Sequence, residues 1–168
     1  LNQAGAVTWP ELGLGGNVLT LGSTVGSLTI QKALNIANGE SLVSSSSVIN
    51  LSDTLTIANG GKLSSGTGNT SVQGALTLNG EIEQGGGILN LTQGGTVGAT
   101  GKLDVSDSEL KLGGALNVSG TLAANSASDW SGWSGTLDLT AGTLEAAGGS
   151  LSLSQISTGA NTTLKLSA

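Results

Sequence analysis

The sequence predicts an all-β chain wound as a right-handed parallel β-helix, a solenoid with three short strands in each coil of about 19–21 residues and about eight coils. Three observations predict it. An apolar phrase returns at Leu34, Leu55, Leu76, Val97, Leu116, Leu137 and Ile156, at intervals of 21, 21, 21, 19, 21 and 19 residues. Within each period apolar and polar residues alternate, as in Leu34-Asn35-Ile36 and Leu55-Thr56-Ile57, the pattern of a strand with one face inward. Gly, Ser, Thr and Asn dominate the remainder, a composition that disfavours helix.

Each coil is expected to carry three apolar peaks. The first set is the phrase above. The second is Leu42, Leu63, Ile82, Leu103, Leu122, Leu144 and Leu164, and the third is Leu28, Ile49, Val72, Leu89, Leu110, Trp130 and Leu151. Parallel crossovers are right-handed in nearly all sheets, which sets the expected hand. Between the first and second peaks stand Asn38-Gly39, Asn59-Gly60 and Asn79-Gly80, then Gly101, Ser119-Gly120 and Gly142. Asn and Gly tolerate the positive φ that a sharp corner demands. Ser44-Ser45-Ser46-Ser47 and Gly66-Thr67-Gly68-Asn69 lengthen their coils and are expected to bulge outward. Residues 1–13 read as an N-terminal capping segment, with Trp9 shielding the first coil, and residues 14–168 as the repeat domain.

Stacking places each inward leucine between two others, and burying such a side chain contributes roughly 1.5–3 kcal/mol. Outward residues stack likewise. Ser41, Lys62, Glu81, Lys102, Thr121, Thr143 and Thr163 precede the second-set residues and are expected to form one column, in which Lys62, Glu81 and Lys102 alternate in charge.

Composition narrows the function classes. The chain has 168 residues, net charge −6, five lysines, no arginine, no histidine and no cysteine. A basic face for nucleic acid or an anionic membrane is therefore not expected. Serine–histidine and cysteine–histidine nucleophiles, disulfides and zinc sites built on His or Cys are excluded. No apolar run approaches the roughly 20 residues of a spanning helix, so no membrane insertion is expected. No cofactor is expected. Leu1 in place of Met suggests a processed or cut chain.

Paired carboxylates remain the only enzymatic apparatus, densest at Asp104, Asp107 and Glu109. With no Arg or Tyr to partner them, they read first as a solvated acidic edge that keeps the rod soluble, and neither calcium-loop pattern is present. Gly94 to Lys102 imitates a phosphate loop but lacks its spacing and its Ser or Thr, and reads as a coil corner. Trp130 and Trp133 are the candidate glycan contact, as a sugar-stacking platform. The alternative is that Trp130 fills a wider coil and Trp133 covers a bend. Asn50-Leu51-Ser52, Asn90-Leu91-Thr92 and Asn117-Val118-Ser119 match the glycosylation pattern, which follows automatically from outward Asn alternating with inward apolar residues.

The phrases LNIANGESLVS, LTIANGGKLSSG, LTLNGEIEQGGG and SGTLDLTAGTLEAAGGSLSL resemble the strand repeats of autotransporter passenger domains and related bacterial β-helical adhesins, over roughly residues 14–168. The resemblance implies a β-helix exported by a Gram-negative bacterium to the cell surface or beyond. It also implies adhesion, aggregation, biofilm structure or a stalk as the role, and no catalytic residue carries over. The leading expectation is thus a non-enzymatic extracellular rod whose partners are copies of itself, end to end or lateral, or surface glycans. Its rivals are a carbohydrate-cleaving enzyme using Asp104, Asp107 and Glu109, and an ice-binding face built on Asn35, Thr56, Thr77 and Asn117, with Gly98 and Asp138 breaking the column.

Overall fold

The computed structural model describes residues 1–125, 134–147 and 156–167. Among them every regular element is a strand, and the strands form three parallel sheets of six, seven and eight members. The chain visits the sheets in rotation. Val18–Leu21 lies in the eight-stranded sheet, Val25–Ile30 in the six-stranded and Leu34–Ile36 in the seven-stranded, and the next lap repeats the order. Each strand pairs with its counterpart one lap away, so the molecule is a parallel β-solenoid with three strands per coil.

Among the described residues about six turns are formed, against an expected eight or so for the chain. Eight rungs are present, among the described residues, in the eight-stranded sheet alone. The third-set strands expected around Trp130 and Leu151 fall at 126–133 and 148–155, outside the described residues. Before the first lap, Gly5–Trp9 pairs parallel with Val25–Ile30 and forms the first rung of the six-stranded sheet. Trp9 packs half-buried against the core there.

Leu34, Leu55 and Leu76 stand one above another, as do Leu42, Leu63, Ile82, Leu103, Leu122 and Leu144. All are buried in one continuous apolar core. Two columns differ from expectation by two residues. Leu76 pairs with Gly95, and Val97 pairs with Leu78 and Val118, so the 19-residue lap comes one coil earlier than the apolar spacing suggests. Ile49 pairs with Thr70, which pairs with Leu89, whereas Val72 stacks between Leu51 and Leu91. Both valines remain inward. A two-residue slip keeps every side chain on its face, so hydrophobicity alone does not detect it.

The corners also correct the expectation. Gly39 and Gly60 do adopt positive φ, 79° and 81°, in turns closed by Glu40 N–H to Ala37 O and Gly61 N–H to Ala58 O. Gly80, Gly101, Gly120 and Gly142 do not. They are needed for space. A Cβ on Gly101 would stand 2.3 Å from Leu78 O, and one on Gly120 would stand 2.2 Å from Gly101 O. These glycines stack at the corner so that successive laps approach closely.

Glu40 occupies the first position of that glycine column. It is buried, with Oε1 accepting Gly16 N–H at 2.7 Å and Oε2 accepting Ala37 N–H at 2.8 Å. These two amides, Gly16 first, hold its carboxyl below the ordinary value of 4.5. A carboxylate whose folded pKa is depressed stabilises fully above its unfolded value and loses that contribution as pH falls through the folded value. Glu40→Gln is therefore expected to be less stable than the parent at neutral pH, with the difference shrinking below pH 4.5. Urea midpoints measured along a pH series check this, and a difference that grows on acidification refutes it.

Candidate functional site

Function in a solenoid resides on its outward columns, which the strand register defines face by face. On the eight-stranded sheet the expected column is present: Ser41, Lys62, Glu81, Lys102, Thr121, Thr143 and Thr163 are register partners in turn. Beside it, Ser64, Glu83, Asp104, Ala123, Glu145 and Lys165 form a second column. The charges interlock between the two. Lys62 Nζ lies 3.2 Å from Glu81 and 2.8 Å from Glu83, and Lys102 Nζ lies 3.3 Å from Glu81 and 3.1 Å from Asp104. Glu145 and Lys165 add a pair at 2.7 Å.

These contacts shift the groups as their geometry requires. Glu83 raises the Lys62 ammonium and Asp104 raises that of Lys102, while Lys62 lowers Glu83. Burial pushes Asp104 up, but hydrogen bonds from Ser106 and the ammonium of Lys102 more than offset it, and the net shift is downward. The pairs are half exposed, so their contribution is small, about 0–1 kcal/mol each. Glu81→Gln is expected to cost less than about 1 kcal/mol and to lose its effect in high salt, as melting at two ionic strengths would show.

Corner length shapes this face. The two-residue corner Asn79-Gly80 sits between the four-residue corners 58–61 and 98–101. The result is a shallow open notch lined by Ser41, Asn59, Lys62, Glu81, Thr100 and Lys102. Its charged groups are already tied to one another.

The seven-stranded sheet is different in kind. Its outward column runs Asn35, Thr56, Thr77, Thr96, Asn117, Asp138 and Ser157. The register correction removes Gly98 from this column and puts Thr96 in its place, so every rung carries a polar side chain. Asp138 alone is charged, and it accepts a hydrogen bond from Ser157 at 2.7 Å.

The carboxylates Asp104, Asp107 and Glu109 do not converge. Asp104 faces outward from the eight-stranded sheet, hydrogen-bonded to Ser106. Asp107 occupies a loop position at φ 60° and bonds the Asn125 side chain at 2.8 Å. Glu109 begins a strand of the six-stranded sheet and pairs with Lys111 at 3.1 Å. Among the described residues no group of three acidic side chains is placed to hold a metal ion. Trp130 and Trp133 lie outside the described residues. Gly94 and Gly95 form a corner and the start of a strand. Asn50 and Asn90 share one outward column of the six-stranded sheet with Ser71 between them, and Asn117 lies on the seven-stranded sheet.

Sequence reasoning missed a polar interior. Ser44, Ser47, Ser65, Thr70, Gln84 and Ser108 are all buried beside the leucine core, where the eight-stranded sheet turns into the six-stranded. Ser47 Oγ donates to Val25 O at 2.6 Å, Thr70 Oγ1 to Ser65 Oγ at 3.0 Å, and Ser108 Oγ to Gln84 O at 2.7 Å. Gln84 Nε2 donates to Gly66 O at 3.2 Å and Gly68 O at 2.7 Å, and also to Gly86 O. The coil-lengthening loops are thus anchored from inside. The available signal was a Ser or Gln recurring four positions after the corner residues Glu40, Gly61 and Gly80, at Ser44, Ser65 and Gln84, where a strand facing the core would carry an apolar residue.

The fold and the columns place the chain in the class of parallel β-solenoid repeat proteins. No family model, no curated protein and no solved structure matches it.

Proposed function

We propose that this chain is a non-enzymatic extracellular rod displayed at a bacterial surface, acting as an adhesin, spacer or stalk. The observation that carries the reading is a continuous apolar core surrounded by outward columns that stack polar side chains lap after lap. Such columns suit many weak contacts with an extended partner, a surface glycan or another rod, better than one strong contact with a small ligand. The resemblance of the repeats to bacterial β-helical adhesins supports the location. The scattering of Asp104, Asp107 and Glu109 weighs against the glycan-cleaving alternative, since acid and base must flank one bond.

Particles coated with the purified chain are expected to cluster or to retain glycans from a mixed acidic and neutral panel, without releasing reducing ends. Release that disappears in Asp104→Asn or Glu109→Gln would replace this reading with the enzymatic one. A second reading, ice binding, is favoured by the unbroken column through Thr56, Thr77 and Thr96. Thermal hysteresis in the purified chain would establish it.

A further inference from the structure

Asparagine is followed directly by glycine at Asn38-Gly39, Asn59-Gly60 and Asn79-Gly80, always at the same corner of the coil. Along the chain the three pairs are chemically alike. In each, the glycine has no Cβ to shield its backbone nitrogen from the asparagine side chain beside it. The fold makes them different, because successive corners differ in length and so in what covers them. Residues 37–40, 58–61, 79–80 and 98–101 are the corners between the seven-stranded and the eight-stranded sheet. The first is covered by an equally long corner on the next lap. Gly39 N–H donates to Gly60 O at 3.1 Å, and Asn38 lies so close over Gly60 that a Cβ there would collide with its Oδ1. The third is short and enclosed by longer neighbours. Gly80 is buried and its N–H donates to Ile57 O at 3.1 Å, while Asn79 O accepts from Thr100 Oγ1 at 2.8 Å and the Asn79 side chain packs against Gly98. The second corner projects past the short corner of the next lap into the open notch, which Asn59 and Gly60 both line. Both are exposed, and among the described residues nothing accepts from Gly60 N–H and nothing hydrogen-bonds the Asn59 side chain.

We propose that Asn59 is a site of self-modification, where the Gly60 backbone nitrogen closes a succinimide ring on the asparagine side chain, and that the fold protects Asn38 and Asn79 from the same reaction. Solvent base removes the Gly60 N–H proton. The nitrogen lone pair then attacks Asn59 Cγ. A Cγ–N bond forms, the Cγ–Nδ2 bond breaks, and Nδ2 takes up a proton and leaves as ammonia. Water opens the ring. Cleavage of the new Cγ–N bond leaves aspartate, whereas cleavage of the original peptide C–N bond leaves isoaspartate, whose backbone runs through Cβ and Cγ. Either product adds one negative charge to a chain of net charge −6 and about 1 Da to its mass.

The protection is a matter of what must break first. At Gly39 and Gly80 the nitrogen is held in a hydrogen bond between laps, which has to open before the proton can leave, and the asparagine side chain has to leave its packing. One such bond lowers the reactive population roughly tenfold. At Asn59 neither restraint exists. The notch also receives the product, because a longer isoaspartate corner extends into open space. The strands that follow, Ser41–Ser44, Lys62–Ser65 and Glu81–Gln84, therefore keep their pairing.

The reaction is independent of what the rod does, and hydroxylamine, which attacks a succinimide and cuts the chain there, reads it directly. The purified chain is incubated with hydroxylamine at mildly alkaline pH, once folded and once in urea. The folded chain is expected to be cut after Asn59 at least about ten times faster than after Asn38 or Asn79. In urea the cover is gone while each Asn-Gly pair is unchanged, so the three rates are expected to agree within about threefold. Without hydroxylamine, peptide mass spectrometry of the aged folded chain is expected to find the gain of about 1 Da at Asn59 first, and an isoaspartyl methyltransferase to label that peptide. Asn59→Gln, which would have to close a larger ring, is expected to abolish cutting at this corner with circular dichroism unchanged. Cutting of the folded chain after Asn38 or Asn79 as fast as after Asn59 overturns the assignment. So does a folded chain that resists cutting after Asn59 while the chain in urea is cut there.

Discussion

Gln84→Glu is expected to cost about 3–5 kcal/mol at neutral pH, although it exchanges one amide nitrogen for oxygen and leaves the shape unchanged. Gln84 is 1% exposed, and its Nε2 donates into the carbonyls of Gly66, Gly68 and Gly86. A carboxylate there has no proton to donate and sets negative charge against three carbonyl oxygens. Its own Oε1 already lacks a hydrogen-bond partner in the parent. The pH dependence has a definite sign. Burial and the carbonyls raise the folded pKa of the new carboxyl above its unfolded value, so the penalty is largest above the folded value and diminishes as pH falls through it. Glu40→Gln also loses its penalty on acidification, but for the converse reason: there the parent loses stability as its carboxylate, held by two N–H donors, is protonated. Urea denaturation of both variants between neutral and acid pH tests the pair. A Gln84→Glu protein as stable as the parent at neutral pH would show that the internal amide does not anchor the loops.

Gly80→Ala is expected to destabilise by about 3 kcal/mol, and Gly39→Ala by about 1–2 kcal/mol, although both glycines follow asparagine at the same corner of the coil, two laps apart. The causes differ. A Cβ on Gly80 would stand 2.3 Å from Gly61 O and 2.4 Å from Ala58 O, so backbone must move. A Cβ on Gly39 meets nothing within 4 Å, and the cost is that of φ 79° for a residue with a side chain. Midpoints of denaturation at equal slope rank the two variants. A larger loss for Gly39→Ala would refute the close-approach argument.

Much of this molecule is legible in its residues because a parallel solenoid converts sequence period directly into spatial adjacency. The stacking of Leu34, Leu55 and Leu76, and the ladder through Lys62, Glu81 and Lys102, required only counting. Counting failed where an inward position is not apolar. Gly95 and Thr70 hold inward places without a large apolar side chain, so matching by leucine and valine slid two columns by two residues. That slip hid Thr96 and made the polar column of the seven-stranded sheet read as broken at Gly98. The corners failed differently, because an Asn-Gly pair looks the same whether the glycine supplies φ or supplies space.

What the sequence by itself determined is the winding. A period near 20 residues, alternation of two and an inward leucine in each segment leave a chain of this composition no other way to bury its apolar groups. What only the tertiary structure decided is the alignment of one lap on the next to within two residues, and with it which groups meet. Register follows from how many residues each corner consumes and from which carbonyls the buried serines and Gln84 reach. Those are distances between segments, and a pattern along the chain does not contain them.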